Sequence, residues 1–242
     1  PPPPPPYPPP PPPHTHTSRC SSAASDVYKR QGIEREVEFT RNLIGKDQLD
    51  ARVMDAMRRV PRDRFVPPDL QGQAFDNGPL PIGHGQTISQ PYIVALMTDM
   101  LKLQPDDVVL EIGTGCGYQA AVLAELARQV YSVEFVEALA NEASSRLTDL
   151  NYTNISIHVG NGYDGWPEHA PYDAVIVTAA ATHIPEALVD QLKPGGRMAI
   201  PVGLPWSPQE LMLLTRDDQA EIHSKNVLGV AFVPLVESPA AM

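Results

Sequence analysis

Strand-like and helix-like segments alternate along the chain from Asp106 onward. Short apolar runs typical of buried strands are separated by stretches of helical length. This alternation predicts an α/β fold with a doubly wound, mostly parallel sheet. The last two predicted strands have no helix between them, so we expect an antiparallel hairpin at one sheet edge. The predicted strands are 108–113, 130–134, 155–161, 173–180, 197–203, 210–216 and 227–236, and the predicted helices are 118–127, 137–150 and 184–192.

A small helical region is predicted to precede the sheet, so that residues 32–104 are distinguished from a sheet domain at residues 105–242. Apolar residues recur at helical spacing over residues 33–57. Either Asp47 or Asp50 has the side chain of an N-cap for a second helix there. The N-terminal region is therefore expected to pack as helices against the sheet domain.

Glycine and proline residues mark two places where regular secondary structure is predicted to end. Residues 74–91 are rich in both and are predicted to form a long loop before a helix at residues 92–103. Long irregular loops inside compact domains usually carry function, so this loop is expected to cover a site. The Pro-Gly-Gly sequence at residues 194–196 is expected to close the helix predicted at residues 184–192.

Residues 1–31 are predicted to lie outside the folded protein, as a low-complexity segment that is artefactual or disordered. Residues 1–13 are all proline except Tyr7, and residues 14–31 show no apolar periodicity. A proline run forms a polyproline II rod without a core. Residues 26–31 look like a translated sequencing adapter, which favours an assembly artefact; the alternative is a proline-rich tail that binds an SH3-like partner.

Composition restricts the classes of partner. The formal net charge is -11 and the isoelectric point is about 5.0, so the chain lacks the basic footprint of a nucleic-acid binder. No apolar run has the length of a membrane span, and no secretory signal pattern is present. Cys20 and Cys116 share no metal-ligand spacing. We therefore expect a cytoplasmic monomer that uses no metal and binds neither nucleic acid nor membrane.

A glycine-rich turn follows the first strand of the predicted sheet. Gly113, Gly115 and Gly117 form a GxGxG pattern rather than the GxGxxG pattern of dinucleotide enzymes. Glycine allows a sharp turn and a close approach of ligand to backbone. Glu134 ends the next strand, 21 residues after Gly113, where a carboxylate accepts hydrogen bonds from ribose hydroxyls. The glycine-rich turn and Glu134 together predict an adenosine-binding site. The spacing of the glycines favours a methyl donor over a dinucleotide as the ligand.

Each of these residues also has a purely structural interpretation. The glycines alone would suit an ordinary strand-to-helix turn. Asn161 either pairs with an adenine edge or begins a turn before Gly162. Ser89 has the side chain of an N-cap for the helix that follows it, and this role is compatible with a contact to substrate. Cys116 is interpreted as a small filler residue rather than a nucleophile.

Five segments in this order resemble the signature sequences of the protein-L-isoaspartate O-methyltransferase family. The resemblance implies a class I, Rossmann-like methyltransferase fold with a rearranged final strand order. It implies methyl transfer from S-adenosylmethionine to the free α-carboxylate of L-isoaspartyl residues in damaged proteins and peptides. The ester then closes to a succinimide, which partly reopens as normal aspartate. The segments are residues 58–67, 79–101, 109–126, 165–181 and 229–235.

The resemblance also implies site residues. The active-site serine of the family corresponds to Ser89. Many members carry aspartate where this chain has Asn161, and serine where it has Cys116, so the affinity for the donor can differ. The donor-binding residues predicted on this basis are Gln86, Thr87, Ile88, Ser89, Glu111, Gly113, Gly115, Gly117, Glu134, Phe135, Asn161 and Gly162.

The predicted chemistry suits these residues. A carboxylate acceptor is already ionised at neutral pH and needs no general base. His84 is the only obvious base in the covering loop, and it is interpreted as a loop or donor-contact residue. Ser89 is expected to hold the acceptor carboxylate in place. The alternatives are a small-molecule methyltransferase of the same fold, a non-catalytic adenosine- or peptide-binding module, and a dehydrogenase, which the glycine spacing disfavours.

Overall fold

The protein is described here by a computed structural model that covers residues 22–205 and 207–236. The predicted proline-rich run at residues 1–13 and Cys20 lie outside the described residues. The helices are α1 (Ser22–Ile44), α2 (Ala51–Arg59), α3 (Pro91–Leu101), α4 (Tyr118–Ala124), α5 (Glu137–Asp149) and α6 (Glu186–Asp190). The strands are β1 (Leu80–Gly83), β2 (Gln86–Ile88), β3 (Val108–Ile112), β4 (Gln129–Glu134), β5 (Ile155–Val159), β6 (Tyr172–Val177), β7 (Leu192–Val202), β8 (Gln209–Arg216) and β9 (Ile222–Val230).

Seven strands form one sheet in the order β5-β4-β3-β6-β7-β8-β9. The pairs from β5 to β7 are parallel, whereas β7–β8 and β8–β9 are antiparallel. The last three strands therefore lie side by side in chain order. This architecture confirms the predicted α/β fold, its mostly parallel sheet and its antiparallel edge.

One hydrophobic cluster joins the N-terminal helices to the sheet. It contains Met57 of α2 and Leu96 of α3 together with Val109 and Ile176 of the central strands, all almost fully buried. The opposite sheet face carries a second cluster. Residues from both sides of the predicted boundary at residue 104 thus share one core, which fixes the helices relative to the carboxyl ends of the strands.

The N-terminal helices differ in part from expectation. The N-cap of α2 is Asp50, whose side chain accepts a hydrogen bond from the backbone N–H of Arg52 at 2.8 Å. Helix α1 begins at Ser22, although residues up to 31 were expected to lie outside the fold. Lys29, in the N-terminal half of α1, is 3% exposed and donates a hydrogen bond to the Met57 carbonyl of α2. The residues around Lys29 have no apolar periodicity, so no sequence pattern predicts that this lysine packs against α2.

The predicted loop at residues 74–91 contains a β-hairpin. Strands β1 and β2 pair antiparallel, with Leu80 opposite Ile88. Gly83, His84 and Gly85 form the turn and all have positive φ angles, of 92°, 52° and 69°. The strands are only four and three residues long, which is too short for a period-two pattern to be recognised among prolines and glycines.

Two further boundaries were predicted wrongly. Helix α6 ends at Asp190, and residues 194–196 lie inside β7, where a register shift opposite Tyr172 and Ala174 accommodates them. Strand β9 runs from Ile222 to Val230 rather than over residues 227–236. Its first half is exposed at the edge of the sheet, so no apolar pattern marks where the strand begins. Residues 231–236 instead cross the end of β6, where they bond to Ala180.

Candidate active site

A cleft lies at the carboxyl ends of the central parallel strands, where ligands of open α/β sheets bind. It encloses about 530 Å³ of empty space, part of which is open to solvent. Its walls come from the hairpin, the glycine loop, the ends of β4 and β6 and the C-terminal segment. We call it the inner cleft; its lining includes Gln86, Thr87, Gly113, Glu134, Thr178 and residues 233–236.

Glycine is required in this loop by positive φ angles and by neighbouring atoms that a Cβ would meet. Gly113 has φ +95°, and a Cβ there would lie 2.4 Å from Thr178 Oγ1, which donates to the Gly113 carbonyl at 2.6 Å. Gly117 has φ +88° and packs against Leu147, so it supports the loop from behind. Gly115, with φ +52°, lines the inner cleft. The loop therefore presents backbone rather than side chains to a ligand.

Glu134 lies in the inner cleft with free acceptor capacity. Its Oε2 accepts from the Gly115 N–H at 2.8 Å and its Oε1 accepts from the Val136 N–H at 2.9 Å. Each carboxylate oxygen has two lone pairs, so one remains on each oxygen. The side chain is only 6% exposed and fixed by both bonds. This arrangement fits a ligand that offers two neighbouring hydroxyls, such as a ribose.

Glu111 lies behind the glycine loop, and it is not among the residues that line the inner cleft. It is fully buried and accepts from Ser132 Oγ, which in turn bonds Thr114 Oγ1 at 2.5 Å. Burial, with a smaller contribution from the charge of Glu134, raises the pKa of Glu111 to about 8. Within the part of the chain that the structure describes, its Oε1 has no hydrogen-bond partner. Glu111 is thus a neutral acid that supports the loop at neutral pH.

The side chain of Asn161 caps a turn, which is one of the two roles predicted for it. Its Oδ1 accepts from the Tyr163 N–H at 3.1 Å and its Nδ2 donates to Asp164 at 3.2 Å, so it caps the short 3-10 turn that follows. The neighbouring Gly162 lines the inner cleft, packed between Ile112 and Leu235. The backbone at this position approaches the ligand space, and an adenine contact by Asn161 stays a prediction.

A second, larger cleft opens beside the first, between α1, the start of α3 and the end of β9. It holds about 1330 Å³ of empty space, including space open to solvent. Thr87 and Thr178 line both clefts, so the two spaces meet at these residues. We call this space the outer cleft; its lining includes Phe39, Thr40, Ser89, Tyr92, Gln209 and Phe232.

Ser89 stands at this junction. It lines the outer cleft and also a small pocket that it shares with Gly113 and Cys116 of the glycine loop. The N-cap of α3 is Gln90, and no hydrogen bond within the described residues engages the Ser89 hydroxyl. The interpretation of Ser89 as the helix cap is therefore wrong, and its hydroxyl is available to a ligand.

Comparisons with known proteins agree on one family. The family model described as protein-L-isoaspartate(D-aspartate) O-methyltransferase matches residues 34–240. Protein-L-isoaspartate O-methyltransferase 2 of Syntrophobacter fumaroxidans is 58% identical over 203 residues, which cover 84% of this chain and 82% of that protein. Its counterpart from Nitrosococcus oceani is 55% identical over 205 residues, covering 85% and 93%.

The chain belongs to the protein-L-isoaspartate(D-aspartate) O-methyltransferase family.

Solved structures agree. A protein-L-isoaspartate O-methyltransferase matches with a TM-score of 0.73 at 28% identity, covering 85% of this chain, which spans 65% of that longer chain. A putative member from Plasmodium falciparum, in complex with S-adenosyl-L-homocysteine, matches with a TM-score of 0.70 at 25% identity, covering 87% and 99%. Membership confirms the predicted family, the Rossmann-like methyltransferase fold and the class of enzyme.

Two other candidate residues have minor places in this methyltransferase. His84 is exposed in the hairpin turn. Cys116 is buried, which raises the pKa of its thiol, and its carbonyl accepts from Arg146 Nη1 at 2.8 Å. A thiol held in its protonated form is a poor nucleophile, which agrees with its interpretation as a filler residue.

Sequence reasoning missed several residues that line the candidate site. Thr178 was included in a buried strand, yet it follows β6, contacts the glycine loop and lines both clefts. Its polar side chain at the end of an apolar run was the available signal. Residues 233–236 line the inner cleft, although they were predicted to continue an edge strand.

Proposed function

We propose that this chain transfers a methyl group from S-adenosylmethionine to the free α-carboxylate of L-isoaspartyl residues in damaged proteins and peptides. The observation that supports this most is the meeting of the two clefts at Thr87 and Thr178, with Ser89 beside the junction. One cleft suits a nucleoside and the other is open enough for a polypeptide. Methyl transfer needs these two partners in line and in contact.

The inner cleft is the proposed donor site. S-adenosylmethionine supplies a methyl group on a positively charged sulfur. The two oxygens of Glu134 hold the ribose through their free lone pairs, and the backbone of Gly113 and Gly115 lies along the ligand. Gln86 and Phe135 line the remaining walls. Five predicted donor-binding residues lie outside this lining. Ser89 lines the outer cleft, Asn161 caps the turn beside Gly162, and Ile88, Glu111 and Gly117 lie behind the lining.

The outer cleft is the proposed acceptor site. An isoaspartyl α-carboxylate is ionised at neutral pH, so no residue has to remove a proton. The Ser89 hydroxyl donates a hydrogen bond that aims one carboxylate oxygen at the methyl group. The carboxylate oxygen forms the new bond to carbon as the sulfur–carbon bond breaks, and both charges are lost. The products are a methyl ester and S-adenosylhomocysteine.

The deciding experiment is methyl transfer from labelled S-adenosylmethionine to an isoaspartyl peptide, with the matching aspartyl peptide as control. Base-labile label on the isoaspartyl peptide alone is expected, because a carboxyl methyl ester hydrolyses readily in base. Label on neither peptide, with donor binding intact, would overturn the proposed acceptor and favour a small-molecule substrate or a binding role.

The remaining expectations concern surroundings and partners. Within residues 22–205 and 207–236, no helix combines the length and the apolar character that a membrane span requires. A cytoplasmic location, a monomeric state, the independence from metal and the lack of nucleic-acid and membrane partners remain predictions that rest on composition.

A further inference from the structure

The outer cleft has an exposed aromatic residue at its mouth. Phe39 of α1 is 87% exposed, more than any other large hydrophobic residue in the described part of the chain. It lines the outer cleft together with Leu228 and Val230 at the end of β9 and with Phe232 just after that strand. A single exposed apolar residue is ordinary on a protein surface. One that shares a cleft with a second apolar wall has a place to bury itself when a ligand enters.

Both walls of this cleft are held in place before any ligand binds. The Gln209 amide, 4% exposed, bonds both backbone groups of Phe232: its Oε1 accepts from the N–H at 2.6 Å and its Nε2 donates to the carbonyl at 3.0 Å. On the other side, Thr40 Oγ1 and Tyr92 Oη lie 2.5 Å apart and join α1 to α3. Because the backbone of both walls is fixed in advance, an entering side chain requires little ordering of the protein beyond that of Phe39 itself.

We propose that Phe39 and Phe232 form a subsite for an apolar side chain of the substrate polypeptide, close in sequence to the isoaspartyl residue. This inference rests on the proposed function. Ser89 lines the same cleft, so a polypeptide whose carboxylate reaches Ser89 passes between the two walls. Extended chain advances about 3.3 Å per residue, so neighbours of the modified residue lie within the cleft. Phe39 is then a specificity-determining residue.

The test uses a set of isoaspartyl peptides that are identical except for one leucine, which is moved through the positions flanking the isoaspartyl residue, and an all-serine reference peptide. The wild-type enzyme is expected to favour one leucine position by about tenfold in kcat/KM, as one apolar pocket allows. Phe39→Ser is expected to remove that preference. Its effect on kcat/KM is expected to be smaller for the all-serine peptide than for the favoured leucine peptide. The KM for S-adenosylmethionine should not change, because Phe39 does not line the inner cleft.

Leu43→Ser is the matched control. Leu43 lies one turn along α1 and is 58% exposed, but it does not line the outer cleft. Its substitution is expected to keep the preference. Equal losses on all peptides in Phe39→Ser, or no loss on any, would overturn the subsite.

Two further results separate this inference from its competitors. If wild-type enzyme methylates no isoaspartyl peptide, the proposed function fails, whereas methylation of all peptides at one rate overturns the subsite alone. If sedimentation shows a dimer at assay concentrations that Phe39→Ser dissociates, a second copy of the chain covers this surface and the subsite is likewise overturned.

Discussion

At the scale of single residues, the polar side chains of the candidate site differ in whether the protein itself already holds them by hydrogen bonds. Ser89 has a hydroxyl without a partner among the described residues, whereas both oxygens of Glu134 are already fixed by backbone N–H groups. A hydrogen bond from Ser89 to a bound substrate would therefore replace no bond within the described residues. Its loss should affect turnover without loosening the protein.

We expect Ser89→Ala to lower kcat by about tenfold to hundredfold, the range for one hydrogen bond to a charged group. The dissociation constant for S-adenosylhomocysteine should change little, because Ser89 does not line the inner cleft, which is the proposed donor site. Steady-state kinetics and calorimetry measure the two quantities. Ser145→Ala, at an exposed position of α5, is the control. Equal turnover in Ser89→Ala and wild type would show that Ser89 does not contact the acceptor.

Glu111 makes the stability of the fold depend on pH. Its pKa is raised from 4.5 to about 8, chiefly by burial, so the folded protein keeps a proton that the unfolded chain releases. Its stabilising contribution is therefore full below about pH 4.5 and is lost as pH rises toward about 8. The slope reaches at most about 1.4 kcal/mol per pH unit.

Glu111→Gln removes this titration and leaves an acceptor for Ser132. We expect the variant to gain stability relative to wild type as pH rises from about 5.5 to about 7.5. Urea unfolding at both values measures the difference. A constant difference would mean that Glu111 has the same pKa in the folded and unfolded chain.

The residues of the site were predicted to different degrees, and the reason is physical. The positions of Gly113 and Glu134 in the cleft follow from local pattern, because each comes at the end of a predicted strand and the tight turn demands glycine. Thr178 and residues 233–236 reach the site through tertiary contacts that no local spacing encodes. Asn161 was predicted to cap a turn or to contact adenine; the bonds to the Tyr163 N–H and Asp164 show the turn, and the adenine contact stays a prediction.

At the scale of elements, the loop between β3 and α4 depends on Gly113. An alanine there would combine a positive φ of 95° with a Cβ 2.4 Å from Thr178 Oγ1. The backbone strain alone costs about 1–2 kcal/mol. We expect Gly113→Ala to lower the free energy of unfolding by at least that amount and to weaken S-adenosylhomocysteine binding.

The control is Gly72→Ala, because a Cβ at Gly72 meets nothing within 4 Å. Its effect on stability should stay within about 0.5 kcal/mol. Adding Thr178→Ala to Gly113→Ala removes the clashing oxygen and should restore part of the lost stability. If the double variant is no more stable than Gly113→Ala, the contact with Thr178 is not the cause.

The elements themselves were predictable where they are long and buried. Strands β3 and β6 are mostly apolar and largely buried on both faces, as is typical of central parallel strands, and their pattern identified them. The hairpin of β1 and β2 is too short to show a pattern, and it is held by packing of Ile82 near the glycine loop. Edge strand β9 has five exposed residues in succession and resembles a loop in sequence.

At the scale of the whole molecule, the inner cleft depends on parts of the chain that are far apart in sequence. The hairpin supplies Gln86 and Thr87, the sheet supplies Gly113 and Glu134, and residues 233–236 close the far side. A ligand in this cleft contacts all three parts. Its binding free energy should therefore stabilise the hairpin and the C-terminal segment against local opening as well as the sheet.

Hydrogen exchange with and without S-adenosylhomocysteine tests this coupling. At a ligand concentration about 100 times the dissociation constant, binding contributes about 2.7 kcal/mol, which slows exchange up to about a hundredfold where opening requires ligand release. We expect slowing in residues 80–88 and 231–236, and none in the turn at residues 217–221, which is remote from both clefts. Glu134→Gln at the same ligand concentration should lose the effect if Glu134 is the ribose acceptor, as proposed. Protection confined to the central strands would mean that the hairpin and the C-terminal segment do not enclose the ligand.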